Sequence, residues 1–280
     1  MRVAPSGRPG HRSDLLALRG ARRSGLLGRQ DPLLDSSFFF HSVVPSPRMT
    51  EEKTNVEDAG RPPAGGRPAG WIGIDESGKG DYFGPLVIAA VHVTPRIAQD
   101  LLALHVRDSK KIADSVIRTL AVDIRTLCRH TVIAIGPERY NQLYAKIRNL
   151  NRLLAWGHAK ALETLLEQVP CERAIADQFG DERLIMNALQ EKGKQIVLEQ
   201  RHKGEEDIAV AAASIVARDE FVRRLSRLAT EFGMPLPKGA SQAVEMAARS
   251  VVRKHGQEGL GKVAKLHFKT TQSVLGASAE

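Results

Sequence analysis

Asp75 and Glu76 are adjacent acids at the end of the short apolar run 71–76, and the glycine-flanked turn Gly78-Lys79-Gly80 follows at once. Neighbouring acids are costly to bury unless a cation or hydrogen-bond donors compensate them. On a strand they face opposite sides, so both can meet one site only where the strand ends. The two glycines let the backbone approach a sugar-phosphate chain closely. An ordinary hairpin turn with surface charges fits the same residues. A Walker-type phosphate loop does not fit. Gly80 stands where Ser or Thr should bind magnesium, and two acids inside the loop would repel the phosphates it must cradle.

Two further segments could contribute. Asp177 ends the short apolar segment RAIADQ, where α/β sheets place functional groups; it could equally cap a following helix. In GEEDIAVAAASIVAR (204–218), three acids precede a helix whose small residues Ala209, Ala212 and Ala213 suit tight packing on a sheet. Those acids could simply serve the helix dipole. Ser109-Lys110-Lys111, His202-Lys203 and Lys238 supply donors and positive charge. Lysine pairs usually form a solvated face, but beside several acids they make a phosphate clamp.

The elements that must position these groups read as an α/β domain. Strands are expected at 71–76, 85–94, 130–135, 173–178 and 195–199. Helices are expected after Asp108 (Ile112, Val116, Ile117, Leu120, Ile124), twice within 137–169, and at 181–192, 206–231 and 242–255. This is a five-stranded mixed sheet flanked by helices, with a helical C-terminal part. Residues 1–70 are rich in Pro, Gly, Ser and Arg, which predicts a disordered or mis-assigned tail with Met49 as the true start. The 71–280 region is the expected catalytic domain.

Composition narrows the class. The chain has 280 residues, a net charge of +9 and only two cysteines, Cys128 and Cys171. That excludes a disulfide scaffold or zinc finger, fits a reducing compartment and favours a polyanionic partner. No apolar run is long enough to span a membrane.

Taken together, DESGKGDYFGPLV, RDSKK, NLNRLLAWGH (149–158), ADQF, AVAAASIVAR, LPKGAS and KLHFKTT resemble, in order, the bacterial type-III ribonuclease H family (ribonuclease HIII), related to type II. The resemblance covers about 71–275. It implies a ribonuclease H-like fold and endonucleolytic cleavage of the RNA strand of RNA/DNA hybrids with Mg2+ or Mn2+, leaving 5′-phosphate and 3′-hydroxyl ends. The implied metal-binding and catalytic acids are Asp75, Glu76, Asp177 and one glutamate of the 205–206 pair. Gly78, Lys79 and Gly80 would read the ribose, and Ser109 and Lys110 would hold backbone phosphates. A cytoplasmic monomer with no obligate protein partner is expected. Type-III members commonly carry a folded N-terminal domain that residues 1–70 do not resemble, so affinity is expected to rest on the catalytic domain. The rivals are a type-II-like enzyme cutting at single ribonucleotides in DNA and a non-catalytic hybrid-binding protein. The Tyr82-Phe83 pair favours type III.

Helix phase chooses between the glutamates. At 100° per residue, the apolar face of the 206–231 helix lies about 30° from Glu205 and about 70° from Glu206. Glu205 is therefore the expected fourth ligand, with Asp207 serving the helix N-terminus.

Overall fold

The computed structural model describes residues 70–107, 109, 112–180, 182–189 and 193–276. The expected tail, the start at Met49 and the Lys110-Lys111 pair lie outside the described residues. Five strands form one sheet in the order β3-β2-β1-β4-β5: β1 (Trp71–Ser77), β2 (Leu86–Val93), β3 (His130–Ile135), β4 (Arg173–Asp177) and β5 (Val197–Arg201). β2 is antiparallel to β1 and β3, whereas β4 is parallel to β1 and β5. The mixed sheet matches the expected architecture.

A helix covers each face, and glycine sets how closely. On one side lies α6 (Ile208–Phe232). A Cβ at Gly73 of β1 would stand 2.0 Å from the carbonyl carbon of Ala209. Helix and strand backbones therefore touch directly, and Ala209, Ala212 and Ala213 are fully buried. On the other side lies α4 (Leu150–Leu166), where a Cβ at Gly157 would press to 2.7 Å from the Ile88 side chain. Around α6 pack α1 (Pro95–Ala103), α2 (Asp114–Leu127) and α7 (Gln242–Val263), sharing one aliphatic core. α3 (Pro137–Ile147), α5 (Glu182–Ala188) and α8 (Lys269–Gly276) complete the described fold. Among the described residues, no helix is long and apolar enough to cross a membrane.

Several boundaries differ from the sequence reading. α1 was not anticipated, although Thr94 caps it by accepting from the Ile97 N–H (3.3 Å) and Pro95 opens it. α7 runs past residue 255 through a break at Gly256, whose φ of 69° only glycine takes easily. α6 begins at Ile208 rather than 206, because Asp207 is its N-cap and 204–206 form a separate 3₁₀ turn.

The segment after α7 clamps the loop that follows β1. The Lys265 N–H donates to the Tyr82 carbonyl (2.8 Å), and the Gly84 N–H donates to the Val263 carbonyl (2.9 Å). Tyr82 and Phe83 are fully buried core residues. Lys265 is itself fully buried, with Nζ donating to the carbonyls of Asp81 (2.7 Å) and Gly84 (2.8 Å). Burial pushes its ammonium down to about 7 against an ordinary 10.5, with the Asp81 carboxylate pulling the other way. Between those values the unfolded chain holds a proton that the folded chain sheds. Stability should therefore rise as pH climbs through that window, by up to ~1.4 kcal/mol per pH unit from this group. Lys265→Met is expected to flatten that slope in denaturant titrations between neutral and mildly alkaline pH. Equal slopes in the two proteins would mean that Lys265 stays charged in the interior.

Candidate active site

Strand alternation distributes the acids. Gly73 and Asp75 point toward α6, and Glu76 points toward α4. Ile74 of β1 pairs with Ala176 of the parallel strand β4 as the last pair of that register, and Asp75 and Asp177 are the residues that follow it on the two strands. All three acids line one cleft of about 480 Å3 at the strand ends. Both neighbouring acids reach it because the strand ends there. Asp75 is largely buried, and its Oδ1 accepts from the Glu76 N–H at 2.8 Å. Asp177 does not spend its carboxylate capping α5. Its Oδ1 accepts from the Gly204 N–H at 2.9 Å.

Glu76 is held from both sides. One oxygen takes His158 Nε2 at 3.0 Å and the other takes Lys79 Nζ at 3.3 Å. Burial pushes the Glu76 carboxyl upward, but the hydrogen bond and charge of His158, with Lys79 behind, outweigh it and hold the carboxyl below its ordinary value. Phe179, two residues past Asp177, packs its ring 4.6 Å from His158 and lies 5.8 Å under Lys79 Nζ. His158 is 0% exposed. Its sequence segment, NLNRLLAWGH, gives it no site role. One imidazole on an apolar helix face carries no local signal; only the fold brings it to Glu76.

The turn after β5 brings up the glutamates. A Cβ at Gly204 would stand 2.8 Å from the Asp177 Cα, so only glycine lets the 204–206 turn lie this close to β4. Glu205 is half-buried on that turn and is not among the cleft-lining residues. Glu206 is 77% exposed and 4.0 Å from Lys203 Nζ. Because both precede α6, the helix-phase premise does not hold for them. Asp207 serves the helix start as expected, accepting from the Ala209 and Val210 N–H groups (2.9 and 3.3 Å) and from Trp71 Nε1 (3.0 Å).

The Gly-rich turn divides its work. Gly78 has φ +87°, and a Cβ there would stand 2.2 Å from the Pro85 carbonyl oxygen. Gly80 would meet nothing within 4 Å. Gly78→Ala should therefore lower the melting temperature by about 5 °C or more, from roughly 1–3 kcal/mol of backbone strain plus the clash. Gly80→Ala should leave it unchanged, and equal losses in thermal melts would contradict this division. Lys79 and Ser109 also line the cleft, whereas Lys110 lies outside the described residues. Ser109 is buried, with its hydroxyl on that of Ser214 in α6 and its carbonyl on Arg218. Arg218 and Lys238 both bind Asp114 (2.7 and 2.6 Å) at the cleft rim. Burial raises the Asp114 carboxyl, but these two cations more than offset that and depress it.

Among the described residues, no three His, Cys, Asp or Glu side chains close tightly enough to cage an ion by themselves. Carboxylates are hard oxygen donors, which suit magnesium or manganese better than a soft metal. Magnesium is held by one or two carboxylates, with water and substrate phosphate completing its shell. Asp75 and Asp177, with Glu76 beside them, form such a hard-oxygen donor set.

Comparison with known proteins gives an independent result. The family model described as ribonuclease HII matches residues 72–271. A ribonuclease HIII of Protochlamydia amoebophila is 49% identical over 205 residues, covering 73% of this chain and 68% of its own length. That of Chlamydia pneumoniae is 45% identical over 206 residues, covering 72% and 69%. Among solved structures, Bst-RNase HIII in complex with Mn2+ superposes with a TM-score of 0.70 at 33% identity, covering 76% of this chain and 71% of that one.

Proposed function

The chain belongs to the ribonuclease HIII family, and from that premise we propose that it hydrolyses the RNA strand of RNA/DNA hybrids through divalent metal ions. Asp75, Glu76, Asp177 and Glu205 would hold the ions. The observation that carries the reading is that Asp75 and Asp177, each just past the last paired residues of two adjacent parallel strands, open with Glu76 into one cleft. Divalent ions bound there supply charge neutralisation at the scissile phosphodiester, activation of the attacking water and stabilisation of the leaving 3′ oxygen. A solved relative bound to Mn2+ supports the choice of a hard divalent ion.

The chain's own residues do the rest. Asp75 and Asp177 present negative charge at the strand ends. His158 and Lys79 fix the orientation of Glu76. Gly80, which no protein atom crowds, lets the backbone reach a ribose 2′-hydroxyl, the group that separates RNA from DNA. Lys79, Arg218 and Lys238 ring the cleft with positive charge for backbone phosphates, which position the duplex without reading its sequence. Ser109 braces that rim through Ser214 and Arg218, and Lys110 extends the same basic sequence.

The test is cleavage of an RNA/DNA hybrid beside a DNA duplex carrying one ribonucleotide, each with Mg2+, Mn2+ or excess chelator. Cutting of the hybrid along its RNA, lost in chelator, is the expected result. Preference for the single ribonucleotide would replace the substrate assignment. Cutting in chelator would remove the metal reading. In the same assay Gly80→Ala should weaken hybrid cleavage at least ~10-fold, about 1.4 kcal/mol, in a protein that melts normally.

A further inference from the structure

We infer that a cluster of arginines on the far side of α6 forms a second anion site, separate from the catalytic cleft and built to take phosphate groups. Arg125 from α2 and Arg223, Arg224 and Arg227 from α6 line a pocket of about 300 Å3 against the edge strand β3. Two successive acids hold three of them, Asp219 (3% exposed) and Glu220 (7% exposed), and Glu220 itself lines the pocket. Asp219 Oδ2 holds Arg125 Nη1 at 2.6 Å. Each oxygen of Glu220 holds one arginine, Arg224 Nε at 2.6 Å and Arg223 Nη1 at 3.2 Å.

This arrangement is what an anion site needs. A guanidinium has five N–H donors, and each of these three spends one on a buried carboxylate. The carboxylates orient the arginines while most of their donors remain unspent. Four arginines against two acids leave a surplus of two positive charges, and Arg227 pairs with no acid among the described residues. A guanidinium matches the geometry of a phosphate and binds it through paired N–H donors.

The site is not an extension of the catalytic cleft. α6 presents Ser214, Arg218 and Phe221 to that cleft. At 100° per residue, the arginine positions centre about 140° round the helix from those three. The ligand chemistry has two sources, a free polyphosphate such as a nucleotide carries and the phosphodiester backbone of nucleic acid.

Calorimetric titration of the full chain separates them, with inorganic tripolyphosphate in one arm and a long RNA/DNA hybrid in the other, at low salt. Arg227→Ala is the main variant, because its side chain makes no ion pair whose loss could unfold the protein; Arg224→Ala/Arg227→Ala is the stronger one. A double variant at exposed helix positions, Arg96→Ala/Arg118→Ala, removes equal charge elsewhere. Tripolyphosphate binding that falls at least ~10-fold in the pocket double variant, but not in the control, establishes a free-phosphate site. If tripolyphosphate fails to bind but hybrid affinity falls only in the pocket variants, the backbone is the ligand. Cleavage of a short hybrid should be unchanged in both cases. Equal losses in pocket and control variants, or no loss in either, overturn the inference.

Discussion

Asp177→Asn is expected to reduce hybrid cleavage at least ~10³-fold, about 4 kcal/mol of transition-state stabilisation, while the melting temperature and hybrid affinity stay nearly unchanged. The separation follows from what the carboxylate touches. Its Oδ1 accepts the Gly204 N–H that ties the 204–206 turn to β4, and an asparagine carbonyl can accept the same bond in the same shape. What disappears is the negative charge beside Asp75, which a divalent ion would need. The measurement pairs single-turnover cleavage at saturating metal with a thermal melt. Near-normal cleavage by Asp177→Asn would sink the metal-ion reading. A collapsed melt would instead show that the charge supports the fold.

The sheet was legible because its signals are local. β1 and β2 are apolar runs broken by a Gly-rich turn, and β3 was placed at the observed residues. Ala209, Ala212 and Ala213 announced a helix lying hard on a strand, and Gly73 supplies the matching flat surface. Element ends were read less well. Asp207 ends the 204–206 turn and caps α6, and the choice between extending a helix and capping it rests on two backbone N–H groups and the Trp71 indole, a contact spanning 136 positions of the chain.

Long-range contacts were the least legible part of the candidate site. Asp75, Glu76 and Asp177 stood out because acids at apolar strand ends are unusual. His158 sits on an ordinary amphipathic helix and becomes notable only when α4 crosses the sheet face to which Glu76 points. Lys265 looks like one surface lysine among many until the segment after α7 folds back over the 81–84 loop. In both cases a polar group is buried because its partner comes from a distant element, and no window of sequence contains both.

Glu205 and Glu206 give the sharpest remaining test. Helix phase cannot decide, since both lie on the 3₁₀ turn before α6. Position does decide. Gly204 packs against the Asp177 backbone and the next residue, Glu205, is half-buried, while Glu206 is 77% exposed and lies 4.0 Å from Lys203 Nζ. A carboxylate at position 205 can complete an ion's shell by a side-chain rotation, a smaller step than moving Glu206 in from solvent. Glu205→Gln should therefore lower the turnover rate at least ~100-fold, about 2.7 kcal/mol, with a matching loss of Mn2+ affinity in calorimetry. Glu206→Gln should cost less than ~10-fold, because an exposed ion pair at that distance contributes little to fold or site. The reverse ranking, measured at saturating metal, would move the fourth carboxylate to Glu206 and require the turn to rotate when the ion binds.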